Sequence, residues 1–261
     1  LNDGHVYLSS PTRRAYSDGF GRGAPRNFNP DHVRQNYLTR GEKTAGEDKI
    51  IYGWVGKDIG YIRLRSLSGG DGVGSGVTGW IEDFEKVLGE FEEAQGLILD
   101  LRSNPGGRAF NTQYIAGHFA DMRRPFIVTR SRNGPGYGDF SSSTYWYVDP
   151  VTEKPFLKPV VVVTNRYTFS AAEWLTLAMR EFPQVTHIGT NTGGGLAMFL
   201  PRELPNGWTY TISVQDTRCM NGTNYEITGV TPQIHVEIDE AHAEDGRDSI
   251  IDRAMRLIEK K

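Results

Sequence analysis

Hydrophobic and polar positions follow two different periods along most of the chain, and the changes of period predict its strands and helices. Short apolar runs at 50–52 and 60–64 flank a Gly-Lys-Asp turn, which predicts two paired strands. Continuous apolar runs at 96–101 and 159–164 are the length of a strand and predict buried strands. From Trp80 to Phe91 the apolar residues recur at helical spacing, which predicts an amphipathic helix.

Strands and helices continue to alternate towards the end of the chain. The same reasoning predicts further helices over 112–120, 171–182 and 248–261, and further strands over 186–189 and 209–214. The stretch from Ser9 to Asp48 is rich in Gly, Pro, Arg and Asn without periodicity, so we expect a long surface arm there. This order is typical of an α/β domain with a mostly buried sheet. We therefore divide the chain into an N-terminal arm (1–49) and a core (50–261).

Composition and charge narrow the class of protein. The chain has 261 residues, of which 38% are hydrophobic and 23% charged, as in an ordinary globular domain. A formal net charge of -3 argues against nucleic acid or anionic lipid as the main partner. The single cysteine, Cys219, allows neither an intrachain disulfide nor a cysteine cluster for a metal. No apolar run has the length of a membrane span, and the start at Leu1 suggests a fragment or processed form.

Ser170 lies where the predicted strand 159–164 has ended and the helix 171–182 begins. Free N–H groups and the positive end of the helix dipole favour developing negative charge at such a position, which suits a nucleophile. The alternative is that Ser170 is only a helix cap, with Glu173 completing a capping box. From this stretch alone the cap is the better interpretation, because such caps are common.

Three further stretches contain residues with possible chemical roles. Gly106 and Gly107 follow a buried strand, where adjacent glycines let backbone N–H groups approach a substrate, although they also suit a plain tight turn. Glu226 is a carboxylate beside a turn; the alternative, and the commoner case, is an ordinary exposed glutamate. His5, in Asp3-Gly4-His5, is a lone histidine, and such a residue is more often structural or merely exposed than a base.

Together these stretches resemble the tail-specific (C-terminal processing) protease family. Asp100–Gly107, Ser170–Glu173 and Gly229–Ile234 occur in the family's order, and the resemblance extends from about residue 50 to residue 238. It implies a crotonase-like α/β fold, a spiral of β-β-α units, in a single catalytic domain. It also implies a nucleophile and an oxyanion site, formed by Ser170 and by the backbone N–H groups of Gly106 or Gly107 with Ala171.

The sequence departs from the Ser-Lys members of that family. Their catalytic lysine belongs in the loop that matches Thr192–Gly195, which here holds glycines and no lysine. The chain instead resembles the branch of the tricorn protease and the interphotoreceptor retinoid-binding protein. That resemblance implies that His5, in the N-terminal arm, is the base and that Glu226 orients it. Gln233 replaces the expected aspartate of the last motif, a difference that does not touch these three residues.

The resemblance implies a serine endopeptidase that cleaves extended or unfolded polypeptides near their C-termini through an acyl-enzyme. We expect no metal and no organic cofactor and a site of action in the periplasm or cell envelope, and we leave open whether the chain forms a homo-oligomer. The peptide-binding PDZ domain of many relatives is not evident in the sequence. The alternatives are a non-proteolytic ligand-binding module of the same fold and an acyl-CoA enzyme of the crotonase type, which would explain none of the motifs.

Overall fold

The computed structural model describes residues 3–10, 12–16, 28–72 and 77–260. Part of the predicted arm, namely residues 1, 2, 11 and 17–27, and the last residue of the predicted C-terminal helix, Lys261, lie outside this range. The fourteen strands of the described residues are β1 Tyr7–Ser9, β2 Arg14–Tyr16, β3 Lys43–Ala45, β4 Ile50–Val55, β5 Ile59–Leu64, β6 Gly96–Asp100, β7 Arg124–Ser131, β8 Thr144–Val148, β9 Val160–Thr164, β10 Val185–Gly189, β11 Phe199–Glu203, β12 Thr209–Ser213, β13 Gln215–Cys219 and β14 Ile234–His235.

Six α-helices connect or cover these strands in the described part of the chain. They are α1 Pro30–Asn36, α2 Asp83–Gly89, α3 Ala109–Gly117, α4 Ala171–Arg180, α5 Glu240–Glu244 and α6 Ser249–Glu259. A 3-10 turn over Gly79–Glu82 leads directly into α2, so the predicted helix from Trp80 to Phe91 is present as two consecutive pieces.

A seven-stranded sheet forms the centre of the molecule, with the strand order β14-β10-β9-β6-β5-β4-β3. Five of its strands, from β5 to β14, run parallel to one another, whereas β3 and β4 run antiparallel at one edge. The strands β6 and β9 are neighbours, and their carboxyl ends therefore open onto the same edge of the sheet. In open α/β sheets this edge is where ligands bind.

Both faces of the central sheet are buried, which explains the continuous apolar runs of its strands. Val160 and Val162 on β9 pack into one hydrophobic cluster with α2, α3 and α4. Val161 and Val163 point the other way and pack into a second cluster with α1 and α6. The period of two along β9 thus divides the core into two layers, and the α/β class predicted from the sequence is confirmed.

Two smaller sheets flank this centre. One has the order β11-β12-β1-β2, and the other has the order β13-β7-β8; both are antiparallel. Strand β1 pairs with β12 through Leu8 and Tyr210, so the first described residues are held in a sheet.

The N-terminal arm is more structured than its composition predicts. Helix α1 lies within it, capped by Asn29, whose side chain accepts a hydrogen bond from the N–H of Asp31 at 3.0 Å. Strand β3 adds to the edge of the central sheet. The prediction of a long loop over 9–48 is therefore wrong for the described residues, because short elements with few apolar positions carry no periodic signal.

Candidate active site

The loops that follow β6 and β9 meet at the carboxyl edge of the sheet. The Thr168 hydroxyl donates a hydrogen bond to the carbonyl oxygen of Leu101 at 2.8 Å, and the Phe169 N–H donates one to that of Asn104 at 2.9 Å. Gly106, with φ of 90°, lies so close that a Cβ there would be 2.8 Å from the Cβ of Ser170. Only glycine fits this position, and its close packing brings the two motifs together.

Ser170 is held in a strained conformation at the N-cap of α4. Its φ of 57° and ψ of -125° are rare for a residue with a side chain. Such strain costs about 1–3 kcal/mol and is concentrated at functional sites. The helix-capping alternative is also satisfied in part, since the Ser170 N–H donates to a carboxylate oxygen of Glu173 at 2.9 Å.

Glu173 connects the start of α4 to the glycine loop 192–195. Its carboxylate is fully buried and accepts hydrogen bonds from the N–H groups of Gly194 at 2.7 Å and Gly195 at 2.8 Å, as well as from the Thr192 hydroxyl. Burial raises the pKa of Glu173, and these hydrogen bonds oppose the rise. The capping-box spacing identified the bond to Ser170, but the three loop contacts are visible only in the structure.

The glycine loop leaves no space for a lysine. A Cβ at Gly195 would lie 2.1 Å from the Phe169 ring, and a Cβ at Gly194, where φ is 82°, would lie 2.6 Å from the Ile227 backbone. The packing around this loop therefore agrees with the absence of a lysine from its sequence.

His5 is buried beside the serine loop, with 7% of its surface exposed. Its ring lies between Phe169 and Phe199, at centroid distances of 4.7 and 4.8 Å. Its backbone is fixed as well: its N–H donates to Asp3 Oδ1 at 2.8 Å, and its carbonyl oxygen accepts a hydrogen bond from the Thr211 hydroxyl. The alternative of a merely exposed histidine does not fit this packing.

Burial decides the protonation state of His5. It lowers the pKa of the imidazole, and the nearby Asp3 carboxylate opposes that effect only in part. At neutral pH the ring is therefore uncharged, which is the form that accepts a proton.

Glu226 approaches His5 from the loop before Gly229. Its Oε2 accepts hydrogen bonds from the N–H groups of Leu196 at 2.9 Å and Ala197 at 2.8 Å. Its Oε1 and the Nδ1 of His5 are both buried and have no hydrogen-bond partner. One ring nitrogen of His5 and one carboxylate oxygen each of Asp3 and Glu226 lie within 4.8 Å of one another. Burial, followed by smaller repulsion from Asp3, raises the pKa of Glu226 to about 7.

A cavity of about 220 Å³ opens between these groups, bordered by both Ser170 and His5. Most of its wall is apolar, and its other lining residues are Gly107, Ala109, Ala171, Trp174, Leu196, Ala197, Met198 and Phe199. Trp174 lies one helical turn after Ser170, and its indole N–H donates to the carbonyl oxygen of Leu196 at 2.9 Å. Apart from Gly107 and Ala171, sequence reasoning did not identify these lining residues, because they come from segments that lie far apart along the chain.

Two backbone N–H groups border this cavity beside Ser170. In the described part of the chain, the N–H groups of Gly107 and Ala171 have no hydrogen-bond acceptor. The N–H of Gly106, in contrast, donates to Asn104 Oδ1 at 2.8 Å. Of the three N–H groups considered from the sequence, those of Gly107 and Ala171 are therefore the ones available to a ligand.

Several known proteins with similar sequences are named as proteases. The chain is 28% identical over 195 residues to the carboxy-terminal processing protease CtpB of Bacillus subtilis, covering 74% of this chain and 36% of that protein. It is 25% identical over 258 residues to a Sulfurisphaera tokodaii protein provisionally named as a tricorn-like protease C-terminal subunit, covering 89% of this chain and 27% of that one. The chain thus spans about a third of the length of these curated relatives.

Solved structures share the fold over nearly the whole chain. A Parabacteroides merdae protein, provisionally described as a peptidase, has a TM-score of 0.87 at 32% identity, covering 98% of this chain and 78% of that one. Mature CPAF in complex with lactacystin shares the fold, with a TM-score of 0.68 at 16% identity over 96% of this chain and 62% of that one. The model of peptidase family S41 matches residues 58–236, and the chain therefore belongs to that family, as its motifs predicted.

Proposed function

We propose that this chain is the catalytic part of a serine endopeptidase that cleaves extended or unfolded polypeptides through an acyl-enzyme. The observation that carries the proposal is one cavity bordered by the strained Ser170, the His5 ring and the two unbonded N–H groups of Gly107 and Ala171. Membership of peptidase family S41 supports the same reaction class. A non-proteolytic binding module would have no need for this combination.

The reaction begins when the Ser170 hydroxyl oxygen attacks the carbonyl carbon of the scissile peptide bond. Neutral His5 accepts the hydroxyl proton, and the N–H groups of Gly107 and Ala171 donate hydrogen bonds to the carbonyl oxygen as it gains negative charge. His5 then gives its proton to the leaving amine, which separates from an acyl-enzyme on Ser170. A water molecule, deprotonated in turn by His5, hydrolyses that ester.

Glu226 supports the charged intermediate in this proposal. Once His5 holds the proton, an ionised carboxylate beside it stabilises the imidazolium. The unpartnered Glu226 Oε1 is the atom available for that contact, since Oε2 is already bound by two N–H groups. The equally unpartnered Nδ1 of His5 is the ring atom that would donate to it, and one ring nitrogen of His5 lies within 4.8 Å of one Glu226 oxygen.

The cavity and the neighbouring sheet edge favour an extended substrate with an apolar side chain at the cut. Strand β11 is an edge strand, and it starts at Phe199, which lines the cavity. An extended peptide can pair with such an edge as an added strand. One of its side chains would then enter a cavity whose walls include Trp174, Leu196 and Met198.

We expect the protein to hydrolyse a chemically unfolded protein and to leave the compact form of the same protein intact, because only an extended chain can lie along β11. Ser170→Ala should abolish this hydrolysis. Ser103→Ala is the matched control, since Ser103 also has a positive φ, of 60°, but does not line the cavity. The readout is the appearance of fragments by mass spectrometry. Equal cutting of both substrate forms would contradict the extended binding mode, and hydrolysis by Ser170→Ala would contradict the nucleophile.

The pH dependence of kcat should reveal the role of the Glu226 carboxylate in catalysis. Because its pKa is raised to about 7, its ionised form is present above that pH and is lost below it. We therefore expect kcat to fall as the pH drops through about 7, and His5 to add a second loss at lower pH because its pKa lies below the ordinary value. Glu226→Gln should lower kcat by up to about 10⁴-fold and leave only the second loss. Glu237→Gln, at the exposed pair with His235, is the control. A loss near pH 7 that persists in Glu226→Gln would exclude this role.

The place of action and the assembly state belong to the same proposal. We infer that the protein acts outside the cytoplasm, in the periplasm or cell envelope, on the basis of kinship alone; one structural neighbour is a lipoprotein from Streptococcus agalactiae. Among the described residues, no helix is long and apolar enough to cross a membrane. A homo-oligomer stays an expectation.

A further inference from the structure

We propose that Asp3, His5 and Glu226 form a binding site for Zn²⁺, and that zinc bound there switches the hydrolase off reversibly. The binding part of the proposal depends only on the three side chains. The inhibition part rests on the proposed function, in which His5 is the base. Zinc here is an inhibitor, so the proposal is compatible with a reaction that uses no metal cofactor.

The three side chains have the chemistry and nearly the spacing of a zinc site. One histidine nitrogen and two carboxylate oxygens lie within 4.8 Å of one another. Tetrahedral zinc binds such atoms at about 2.0–2.2 Å, which places any two of them about 3.4 Å apart. Side-chain rotations that move these atoms by about 1 Å reach that spacing. Three protein ligands leave the fourth position of the ion to water, as at other zinc sites of this type.

Two of the three groups each have one buried polar atom without a hydrogen-bond partner. His5 is 93% buried, since 7% of its surface is exposed, and its Nδ1 has no hydrogen-bond partner. The Oε1 atom of Glu226 is buried and unpartnered as well. Buried polar atoms without a partner are rare and call for an explanation. A metal ion that accepts a lone pair from each of them satisfies both.

The contacts around the ligands orient them as a metal site requires. The N–H groups of Leu196 and Ala197 hold the other oxygen of Glu226, and the rings of Phe169 and Phe199 enclose the imidazole. Such surrounding contacts fix the ligand geometry at metal sites.

Charge and donor type favour zinc over magnesium or calcium. Asp3 and Glu226 bring two carboxylates close to the His5 ring, so the cluster gains from added positive charge. Magnesium and calcium prefer sites made only of oxygen atoms, whereas zinc readily takes a histidine nitrogen. His5 also borders the open cavity, which provides a path for the ion.

Occupation of the site would remove the base. A neutral imidazole that binds zinc through Nδ1 carries its proton on Nε2, and it has no lone pair left to accept the proton of Ser170. Zinc also takes the Glu226 oxygen that would stabilise the imidazolium. Inhibition therefore follows from the tautomer of His5, and a chelator should reverse it.

The binding test uses zinc chloride and the full chain with Ser170→Ala, so that no proteolysis interferes. Titration calorimetry should show one zinc ion per chain. Adding His5→Ala or the isosteric Glu226→Gln should weaken binding by more than about 100-fold, because even changes outside the ligands cost zinc sites about 10–100-fold. His235→Ala is the matched control, as His235 Nε2 lies 3.1 Å from Glu237 Oε1 on the surface. Circular dichroism confirms that each variant is folded.

The outcomes separate the metal site from the proposed function. Loss of zinc binding in His5→Ala and Glu226→Gln but not in His235→Ala supports the site, whereas no binding or equal binding in all variants overturns it. Hydrolysis by the unmodified chain should stop when the site is filled and return on adding EDTA. Specific binding that leaves hydrolysis unchanged would support the site and contradict His5 as the base.

Discussion

Replacing His5 with alanine should lower kcat by about 10⁴-fold or more, as removal of the histidine does in other serine hydrolases. The physical reason is that Ser170 has no other base in its cavity: His5 is the one titratable side chain among the described residues that line it. A serine hydroxyl without an adjacent base is a weak nucleophile. Initial rates on an unfolded protein at saturating concentration give kcat directly.

A structural role for His5 must be separated from a chemical one. The ring packs on Phe169 and Phe199, so its removal also costs stability, by about 0.5–1.5 kcal/mol for each aromatic contact. Urea unfolding should therefore show a folded, moderately weakened protein. His242→Ala, on the exposed helix α5, is the control and should retain normal kcat. Near-normal kcat in a folded His5→Ala protein would contradict its role as base.

Glu173→Ala should produce the largest loss of stability among substitutions near the site. The change leaves four donors without their acceptor. Three are buried, namely the N–H groups of Gly194 and Gly195 and the Thr192 hydroxyl, and the fourth is the partly buried N–H of Ser170. Each unsatisfied buried group costs about 1–3 kcal/mol. We expect the free energy of unfolding to fall by about 4 kcal/mol or more, as measured by urea titration.

Two comparison variants make this prediction specific to the buried contacts. Glu173→Gln keeps the shape but turns one acceptor into a donor, so it should fall between wild type and alanine. Glu85→Ala, at an exposed position on α2, should change the free energy of unfolding by less than about 0.5 kcal/mol. Similar losses in Glu173→Ala and Glu85→Ala would show that the carboxylate does not hold the glycine loop.

The sequence predicted the central elements of the fold because their apolar patterns are strong. Strand β9 is a run of four valines before Thr164, and helix α6 buries Ile250, Ile251, Ala254 and Ile258 on one face. Strand β11 was missed because every residue in it is exposed and Pro201 interrupts the pattern. Helix α1 was missed because it has only seven residues, although Asn29 and Pro30 are recognisable start signals.

The motifs likewise identified residues that the structure brings together, but not the contacts among them. Ser170 and His5 border one cavity although 164 residues separate them in the sequence. The hydrogen bond of the Gly106 N–H to Asn104 and the approach of Asp3 to Glu226 depend on backbone geometry, which no spacing pattern encodes. The first contact determines which N–H groups are available to a substrate, and the second determines which ions the site can hold.

The central claim, that Ser170 is a nucleophile activated by His5, is tested most directly by labelling with a fluorophosphonate followed by peptide mass spectrometry. The account predicts a single adduct, on Ser170, in the wild type. It predicts no adduct in Ser170→Ala, unchanged labelling in Ser103→Ala, and labelling in His5→Ala slowed by about the same factor as kcat. An adduct on another residue, or labelling of Ser170 at the same rate without His5, would contradict it.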